Sequence, residues 1–271
     1  MRSNVLPLLS LFSWSLILLS AQVWAIVTER DYNLKFDRAY YVSEGSELAC
    51  TEDQLNRIKT GISSAQDLAN KAILLLETKG FHSNAFIRWF GQGNANPQTV
   101  KALLNQHYKI AFSALPRPRI PVGLKSTTFT RRARFKVAAG ELKPTDDSLV
   151  YACPPLSQTN RGYCTSRNGH ETGAFVLDPW RTRWTKTAII GLCPAFFTAP
   201  TSIMAQILLH EIQHLYRVTF PSPAATDVIG PGTKTRCYSA QCCQSLPDAQ
   251  KIQNAQNFAY FALEAGGWND F

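Results

Sequence analysis

A pair of histidines four residues apart is the feature of this sequence that points most directly to chemistry. His210 and His214 belong to the pentapeptide His210-Glu211-Ile212-Gln213-His214, an HExxH pattern. Because residues four apart lie one turn above each other on the same face of a helix, both imidazoles could reach one metal ion. Glu211 follows the first histidine and could act on water without binding the metal. The pattern therefore predicts a zinc site, in which zinc lowers the pKa of the attacking water and Glu211 removes its proton.

The residues around this motif can form the helix that such a site needs. Residues 203–209, which precede it, are apolar except for one glutamine. Thr201 or Ser202 could cap the start of the helix, and Pro221 prevents it from continuing beyond Phe220. The alternative is a pair of partly buried structural histidines, which would need hydrogen-bond partners of their own.

A catalytic zinc site usually has three protein ligands, so one more acidic or histidine ligand is needed. Asp227 lies thirteen residues after His214, close enough for a loop to fold back. Glu264 would instead give a glutamate-type site, since it belongs to a helix predicted over residues 249–266. Asp248 is better placed to cap that helix. The residues alone leave Asp227 and Glu264 as the two alternatives.

The rest of the pattern predicts an α+β domain, mostly helical with a small sheet. Thr51-Glu52-Asp53-Gln54 has the form of a capping box, and apolar residues follow at helical spacing as far as Gly80. Residues 26–48 are mixed and polar, which is typical of an extended arm or an edge strand. Short strands are expected near residues 129–137, 148–153, 173–177 and 188–193.

The first 25 residues have the composition of a secretory signal peptide. Arg2 supplies the positive start, residues 5–19 are apolar, and Val23-Trp24-Ala25 offers a cleavage site. We therefore predict a secreted, extracellular product and a single zincin-like domain over residues 26–271, with the metal helix in a cleft between two lobes. No later stretch is long and apolar enough to be predicted as a membrane span.

The chain is basic, with a formal net charge of +9 at pH 7. Many of the cations fall in one stretch, residues 117–136, which is most simply interpreted as a solvated face. Because no nucleic-acid recognition motif accompanies it, we expect protein or peptide substrates, no nucleic-acid partner, and a monomer.

The chain has seven cysteines, which in a secreted protein indicates disulfides but leaves at least one thiol over. Cys242 and Cys243 are adjacent and unsuited to pairing with each other. Proximity in the sequence would favour a Cys153–Cys164 bridge. The paired short spacings of a cysteine zinc site are absent.

Segments along most of the mature chain resemble one family. They are AQDLANKAI at residues 65–73, RWFG at 88–91, IGLC at 190–193, LLHEIQHL at 208–215 and NAQNFAYFALEA at 254–265. These segments resemble the deuterolysin-type zinc endopeptidases secreted by fungi, the aspzincins, which include lysine-specific metalloendopeptidases. The resemblance implies a zincin-like fold, bound Zn²⁺ and hydrolysis of internal peptide bonds.

The resemblance also implies roles for particular residues. His210, His214 and Asp227 would be the zinc ligands, Glu211 the general base, and Tyr238 a residue that stabilises the transition state. The family's cysteines imply two disulfides, Cys50–Cys153 and Cys164–Cys193. Cys237, Cys242 and Cys243 are then left to form one further bridge and one free thiol.

The chain departs from the family where the aspartate ligand should lie. The family has a Gly-Thr-x-Asp sequence, whereas Gly232-Thr233-Lys234-Thr235 keeps the Gly-Thr and has threonine in place of the aspartate. Asp227 is the better-placed match if the segment after it is an insertion. The departure also motivates a second hypothesis: a secreted binding protein or effector that keeps the fold and cleaves nothing.

Overall fold

The longest helix forms where the capping box predicts it. Helix α1, Glu52–Lys79, begins after Thr51, whose hydroxyl accepts a hydrogen bond from the Gln54 backbone N–H. The Gln54 side chain in turn accepts from the Thr51 backbone N–H at 2.9 Å. This exchange satisfies N–H groups that the first turn of a helix leaves without partners.

The computed structural model describes Phe36 and residues 38–43, 45–46, 48–125, 136–137, 148–156, 164–165, 171–177, 188–219 and 223–269. All of these belong to one compact unit, Leu34–Phe271. The signal peptide predicted over residues 1–25 lies outside them, as does most of the strand expected near residues 129–137. No helix in the described part of the chain combines the length and apolar composition that a membrane crossing needs.

The other helical elements are mostly short. They are a 3-10 turn at Gly80–His82, α2 at Asn84–Phe90, a 3-10 turn at Gln92–Asn94, α3 at Pro97–Ala102, a π-helical segment at Leu103–Tyr108, α4 at Lys109–Ala114, α5 at Pro194–Thr198, α6 at Thr201–Gln213, α7 at Tyr216–Thr219, α8 at Ala240–Ser245, α9 at Asp248–Lys251 and α10 at Ala255–Ala265. The single helix expected over 249–266 is thus two helices. It breaks because Thr226, from the loop after α7, exchanges backbone hydrogen bonds with Gln253 and Ala255.

The strands form one small sheet and a two-stranded ribbon. They are β1 at Arg38–Val42, β2 at Ile120–Val122, β3 at Leu124–Lys125, β4 at Lys136–Val137, β5 at Ser148–Ala152, β6 at Ala174–Leu177 and β7 at Ala188–Leu192. The five-stranded sheet has the order β2-β1-β5-β7-β6, in which only β6 is antiparallel to its neighbour, and β3 pairs with β4. The prediction of an arm or edge strand for residues 26–48 is therefore wrong for β1. This strand lies inside the sheet, because it pairs in parallel with both β2 and β5.

The main core lies between the sheet and the helices. Along β5, Leu149 and Tyr151 join this core, whereas Val150 and Ala152 pack in a smaller cluster on the other face of the sheet. Helix α1 packs against both α6 and α10. Gly61 permits close contact with α6, because a Cβ there would lie 3.2 Å from a methyl carbon of Leu208. Helices α1, α6 and α10 thus pack against one another.

Disulfides complete an α+β architecture that is mostly helical, as the sequence predicts. Cys50–Cys153 joins the chain before α1 to the end of β5, and Cys164–Cys193 joins a short described segment to the end of β7. These are the two pairs that the family resemblance implies. The Cys153–Cys164 pair suggested by sequence proximity does not form. Cys237–Cys242 is a third bridge, and Cys243 is a buried free thiol.

Candidate metal centre

Three side chains from two segments converge on one point. Nε2 of His210 lies 3.0 Å from Nε2 of His214, and Oδ1 of Asp227 lies 3.1 Å and 3.3 Å from these two nitrogens. In the described part of the chain, this is the one group of three or more histidine, cysteine or acidic residues close enough together to hold a metal ion. The structure therefore brings together the three residues that the sequence nominates.

Helix α6 supplies the two histidines from a buried position. Its residues 208–213 are all buried, and His214 caps its C-terminus. Nδ1 of His214 donates to the Ala225 carbonyl at 2.9 Å. Because this bond places the proton on Nδ1, the Nε2 lone pair is free to bind a metal.

Asp227 reaches the histidines because its loop is bonded to two elements. The Ala225 backbone N–H donates to the Gln213 carbonyl at 2.9 Å, which ties the loop to the end of α6. The Thr226 N–H donates to the Gln253 carbonyl at 2.7 Å, between α9 and α10. The Asn254 side chain accepts from the Val228 N–H at 3.1 Å. The residues on both sides of the aspartate are thus fixed.

The three candidate ligand atoms have the spacing and chemistry that a zinc ion needs. Zinc bonds of about 2.0–2.1 Å in a tetrahedral site place neighbouring ligand atoms roughly 3.3–3.4 Å apart, close to the separations here. Oδ1 of Asp227 is buried and has no hydrogen-bond partner of acceptable geometry in the described part of the chain. A buried carboxylate oxygen is costly to leave without a partner, and a cation between it and the imidazoles would satisfy it. The cluster fits zinc.

Burial and mutual charge shift the pKa values of the clustered groups. Burial alone would raise the pKa of Asp227, but its close polar contacts and charge interactions with His210 and His214 outweigh this and hold the pKa far below its ordinary value. Burial would lower the pKa of His214, but the close contact with Asp227 and the Glu211 charge raise it to about 8. The cluster thus favours the ionised form of Asp227.

Glu211 lies in the same helix and is 6% exposed. Burial raises the pKa of its carboxyl group, and the nearby charges of His210 and His214 offset only part of that rise. A carboxylate with a raised pKa is a stronger base than one in water, which suits proton transfer near neutral pH.

Tyr238 lies beside the cluster at the surface. Its ring centroid is 5.8 Å from that of His210, and the residue is 48% exposed. Its hydroxyl accepts from Nη1 of Arg236 at 3.3 Å, and the same Nη1 donates to Oδ2 of Asp227 at 2.9 Å. Burial and the Asp227 charge raise the pKa of Tyr238 to about 12, so the phenol is protonated at neutral pH.

Glu264 does not reach the histidines. Its Oε2 accepts from Nε1 of Trp89 at 2.6 Å and pairs with Nη1 of Arg88 at 3.1 Å. The structure does not favour the alternative of a glutamate-type site, since this carboxylate joins α10 to α2. Asp248 does not cap the last helix either, because its Oδ2 accepts from the Gly93 N–H at 2.7 Å.

The sequence did not indicate that His107 contacts the motif. It belongs to the π-helical segment, is buried, and stacks on Phe258 with ring centroids 4.4 Å apart. Its Nδ1 donates to Oε1 of Gln213, the residue before His214, at 2.7 Å. Nothing in the sequence marks this pair, because the two residues are 106 positions apart. Arg236 was missed for a similar reason: only the folded loop brings it to Asp227.

His107 should make the stability of the protein depend on pH. Burial lowers its pKa from 6.5 to about 4, against a smaller rise from the Gln213 hydrogen bond. The imidazole of His107 therefore binds a proton more readily in the unfolded chain than in the folded protein. Its contribution to the free energy of unfolding is fully present above about pH 6.5 and is lost as the pH falls towards 4. The full loss is about 3 kcal/mol.

Urea unfolding at pH 7.5 and pH 4.5 measures this loss, with the metal chelated in every sample. We expect a His107→Gln variant to be less sensitive to pH than the unsubstituted protein, because it lacks the titrating group. Equal sensitivity of the two proteins would show that His107 does not carry the effect.

Comparisons with known proteins identify the family and the fold of the chain. The sequence profile of the lysine-specific metallo-endopeptidases matches residues 125–263, just over half of the chain. No curated protein matches the chain significantly. Among solved structures, a zinc peptidase from Grifola frondosa matches with a TM-score of 0.51 and 18% identity, over 81% of this chain and 100% of that one. At that identity the match establishes the fold alone. The profile match extends over the HExxH helix and the Asp227 loop, and the chain therefore belongs to the lysine-specific metallo-endopeptidase family, the aspzincins.

Proposed function

We propose that this protein is a secreted zinc endopeptidase that hydrolyses internal bonds of proteins or peptides, with Glu211 as its general base. Family membership supports zinc peptidase activity. The observation that carries the proposal further is the meeting of His210, His214 and Asp227 beside a buried glutamate. The disulfides are consistent with an extracellular location.

His210, His214 and Asp227 would hold the zinc ion. Zinc bound there supplies Lewis acidity, which makes water more acidic and polarises a peptide carbonyl. The protein's contribution is a set of ligands already gathered within 3.3 Å of one another. Their neighbours in the loop and the helix hold them in place before any metal arrives.

Glu211 would move the proton during hydrolysis. It takes a proton from the attacking water and passes it to the nitrogen of the leaving amine. Its raised pKa brings the protonated and ionised forms closer in free energy, so one group can serve as base and then as acid. Its position next to His210 places it beside the ligands without making it one of them.

Tyr238 would stabilise the negative charge that develops on the carbonyl oxygen. Its hydroxyl oxygen accepts from Arg236, and accepting that bond does not use the O–H hydrogen, which would be donated to the carbonyl oxygen. A neutral phenol at the mouth of the site can donate to an oxyanion, because its pKa of about 12 keeps it protonated.

Replacing Tyr238 by phenylalanine should test that role. We expect kcat to fall by about 100-fold while KM and zinc content change little, because the lost hydrogen bond is strong only in the transition state. Initial rates on a quenched fluorescent peptide measure both constants. A variant with unchanged kcat would assign Tyr238 a purely structural role.

The inactive binding-protein hypothesis gains no support from the geometry. It arose because Thr235 replaces an aspartate after the Gly-Thr, yet Asp227 supplies a carboxylate at the histidines.

Digestion of casein by the purified protein tests the proposed function. Activity should be lost after dialysis against a chelator and should return when about one equivalent of zinc is added. Equal casein breakdown before and after chelation would contradict the proposal, because it would come from another catalyst.

A further inference from the structure

The carboxylate of Asp227 divides its two oxygens between different partners. Oδ1 lies 3.1 Å and 3.3 Å from Nε2 of His210 and His214, whereas Oδ2 lies 2.9 Å from Nη1 of Arg236. A partial turn of the carboxylate about its Cβ–Cγ bond would break the contact with the guanidinium. The bond to Arg236 therefore fixes the plane of the carboxylate, with one of its two equivalent oxygens directed at the imidazoles.

Arg236 reaches Asp227 because the chain between them folds back as a hairpin. Ile229 and Arg236 form an antiparallel bridge, and the Gly230 N–H donates to the Thr235 carbonyl at 2.9 Å. This hairpin lies in the segment that the sequence identifies as an insertion after Asp227. The insertion brings a cation back to the aspartate nine residues before it.

The base of the hairpin is anchored beyond Arg236. The Cys237 N–H donates to the Val228 carbonyl at 2.8 Å, and the Cys237 carbonyl accepts from Nδ2 of the buried Asn254 at 3.3 Å. The Cys237–Cys242 disulfide ties the same residue to α8. These bonds fix the backbone next to Arg236, although the arginine side chain itself is 60% exposed.

One nitrogen of this arginine contacts two residues of the site. Nη1 donates to Oδ2 of Asp227 and, at 3.3 Å, to the hydroxyl of Tyr238. An ordinary exposed ion pair would contribute only about 0–1 kcal/mol to the stability of the fold, and it would have no effect on metal binding. This pair differs because its acidic partner is 15% exposed and directs its second oxygen at the histidines.

We propose that Arg236 is a positioning residue, which orients Asp227 for metal binding and holds Tyr238 beside it. The inference rests on the proposed function, since it takes Asp227 to be a zinc ligand. An aspartate that is already oriented loses less rotational freedom when the metal binds. Partners of metal ligands that act in this way typically change metal affinity by about 10- to 100-fold.

Three variants test the proposal: Arg236→Ala, Arg236→Lys and, as a matched control, Lys234→Ala. Lys234 is an exposed cation of the same hairpin, and it makes no ion pair in the described part of the chain. Zinc dissociation constants come from competition with a chromophoric chelator. The visible absorption spectrum of each cobalt-substituted protein reports on the geometry of the ligands.

We expect Arg236→Ala to bind zinc at least about 10-fold more weakly than the unsubstituted protein and to show an altered cobalt spectrum. The zinc affinity of Arg236→Lys should lie between those two, because lysine keeps the positive charge but lacks the planar guanidinium group. Lys234→Ala should match the unsubstituted protein. Thermal unfolding shows whether each variant is folded. If the alanine variant does not fold, the lysine variant tests the proposal instead, and we expect it to bind zinc at least about 3-fold more weakly than the unsubstituted protein.

Unchanged zinc affinity and an unchanged cobalt spectrum in the folded Arg236 variants would overturn the positioning role alone. An unsubstituted protein that binds neither metal would overturn the proposed function, and this inference with it. The two failures are therefore distinguishable, because binding is measured without relying on peptide hydrolysis.

Discussion

Replacing Glu211 by glutamine should lower kcat by about 10³- to 10⁴-fold while leaving zinc bound. Glutamine has nearly the same size and fits the buried position, but it cannot take a proton from water. Because burial already raises the pKa of Glu211, removing its charge should not destabilise the fold. Turnover of a quenched fluorescent peptide, together with zinc content by mass spectrometry, measures both effects.

Glu264→Gln is the matched control for this substitution. It makes the same chemical change in a carboxylate that bonds to Trp89 and Arg88 and lies outside the cluster. The control should keep its activity. A Glu211→Gln protein that retains zinc and hydrolyses peptide at the control's rate would contradict the assignment of Glu211 as the base.

Replacing Asp227 by alanine should weaken zinc binding by more than about 100-fold, since loss of a ligand should cost more than loss of a ligand's partner. The two imidazoles would remain, but the carboxylate oxygen that completes the group of three would be gone. Competition with a chelator gives the dissociation constant. Peptide hydrolysis should fall with zinc occupancy.

A parallel Glu264→Ala variant separates the aspartate site from the glutamate alternative. It should bind zinc normally but lose about 1–3 kcal/mol of stability, because Nε1 of Trp89 would lose its acceptor. Loss of zinc from this variant, with normal zinc in Asp227→Ala, would reverse the assignment of the third ligand.

Local pattern was enough to predict the helix that carries His210 and the long helix that packs against it. The cap expected at Thr201 or Ser202 does not form, because Pro200 occupies the capping position. The capping box at Thr51 and the apolar residues before His210 indicated α1 and α6, because each signal depends only on neighbours in the chain. Position within the sheet was not predictable in this way. β1 is an interior strand because β2 and β5, far away in sequence, both pair with it.

The proposed third ligand, Asp227, could not be predicted from residue patterns alone. Spacing alone left Asp227 and Glu264 open, because the loop that returns Asp227 is held by Gln253 and Asn254, and Trp89 takes up Glu264. Resemblance to a family with an aspartate ligand decided between them. It also implied the disulfides Cys50–Cys153 and Cys164–Cys193, whose partners no local rule could match.

The contacts around the proposed ligands were the hardest features to predict from the sequence. Gln213 meets His107 only because the π-helical segment packs against α6 and α10, and Arg236 meets Asp227 only through the hairpin. Both partners look like ordinary surface or core residues in the sequence. Such interactions depend on packing between segments that are distant in the sequence. Composition and periodicity therefore do not predict them.

X-ray absorption at the zinc edge of the purified, zinc-loaded protein tests the central claim most directly. We expect one zinc ion per chain, bonded to two imidazole nitrogens and one carboxylate oxygen at about 2.0–2.2 Å, with one position left for water. The Asp227→Ala protein should lack that spectrum. A protein that takes up no zinc in excess metal, or whose zinc is coordinated by sulfur or by one imidazole alone, would contradict the site at His210, His214 and Asp227.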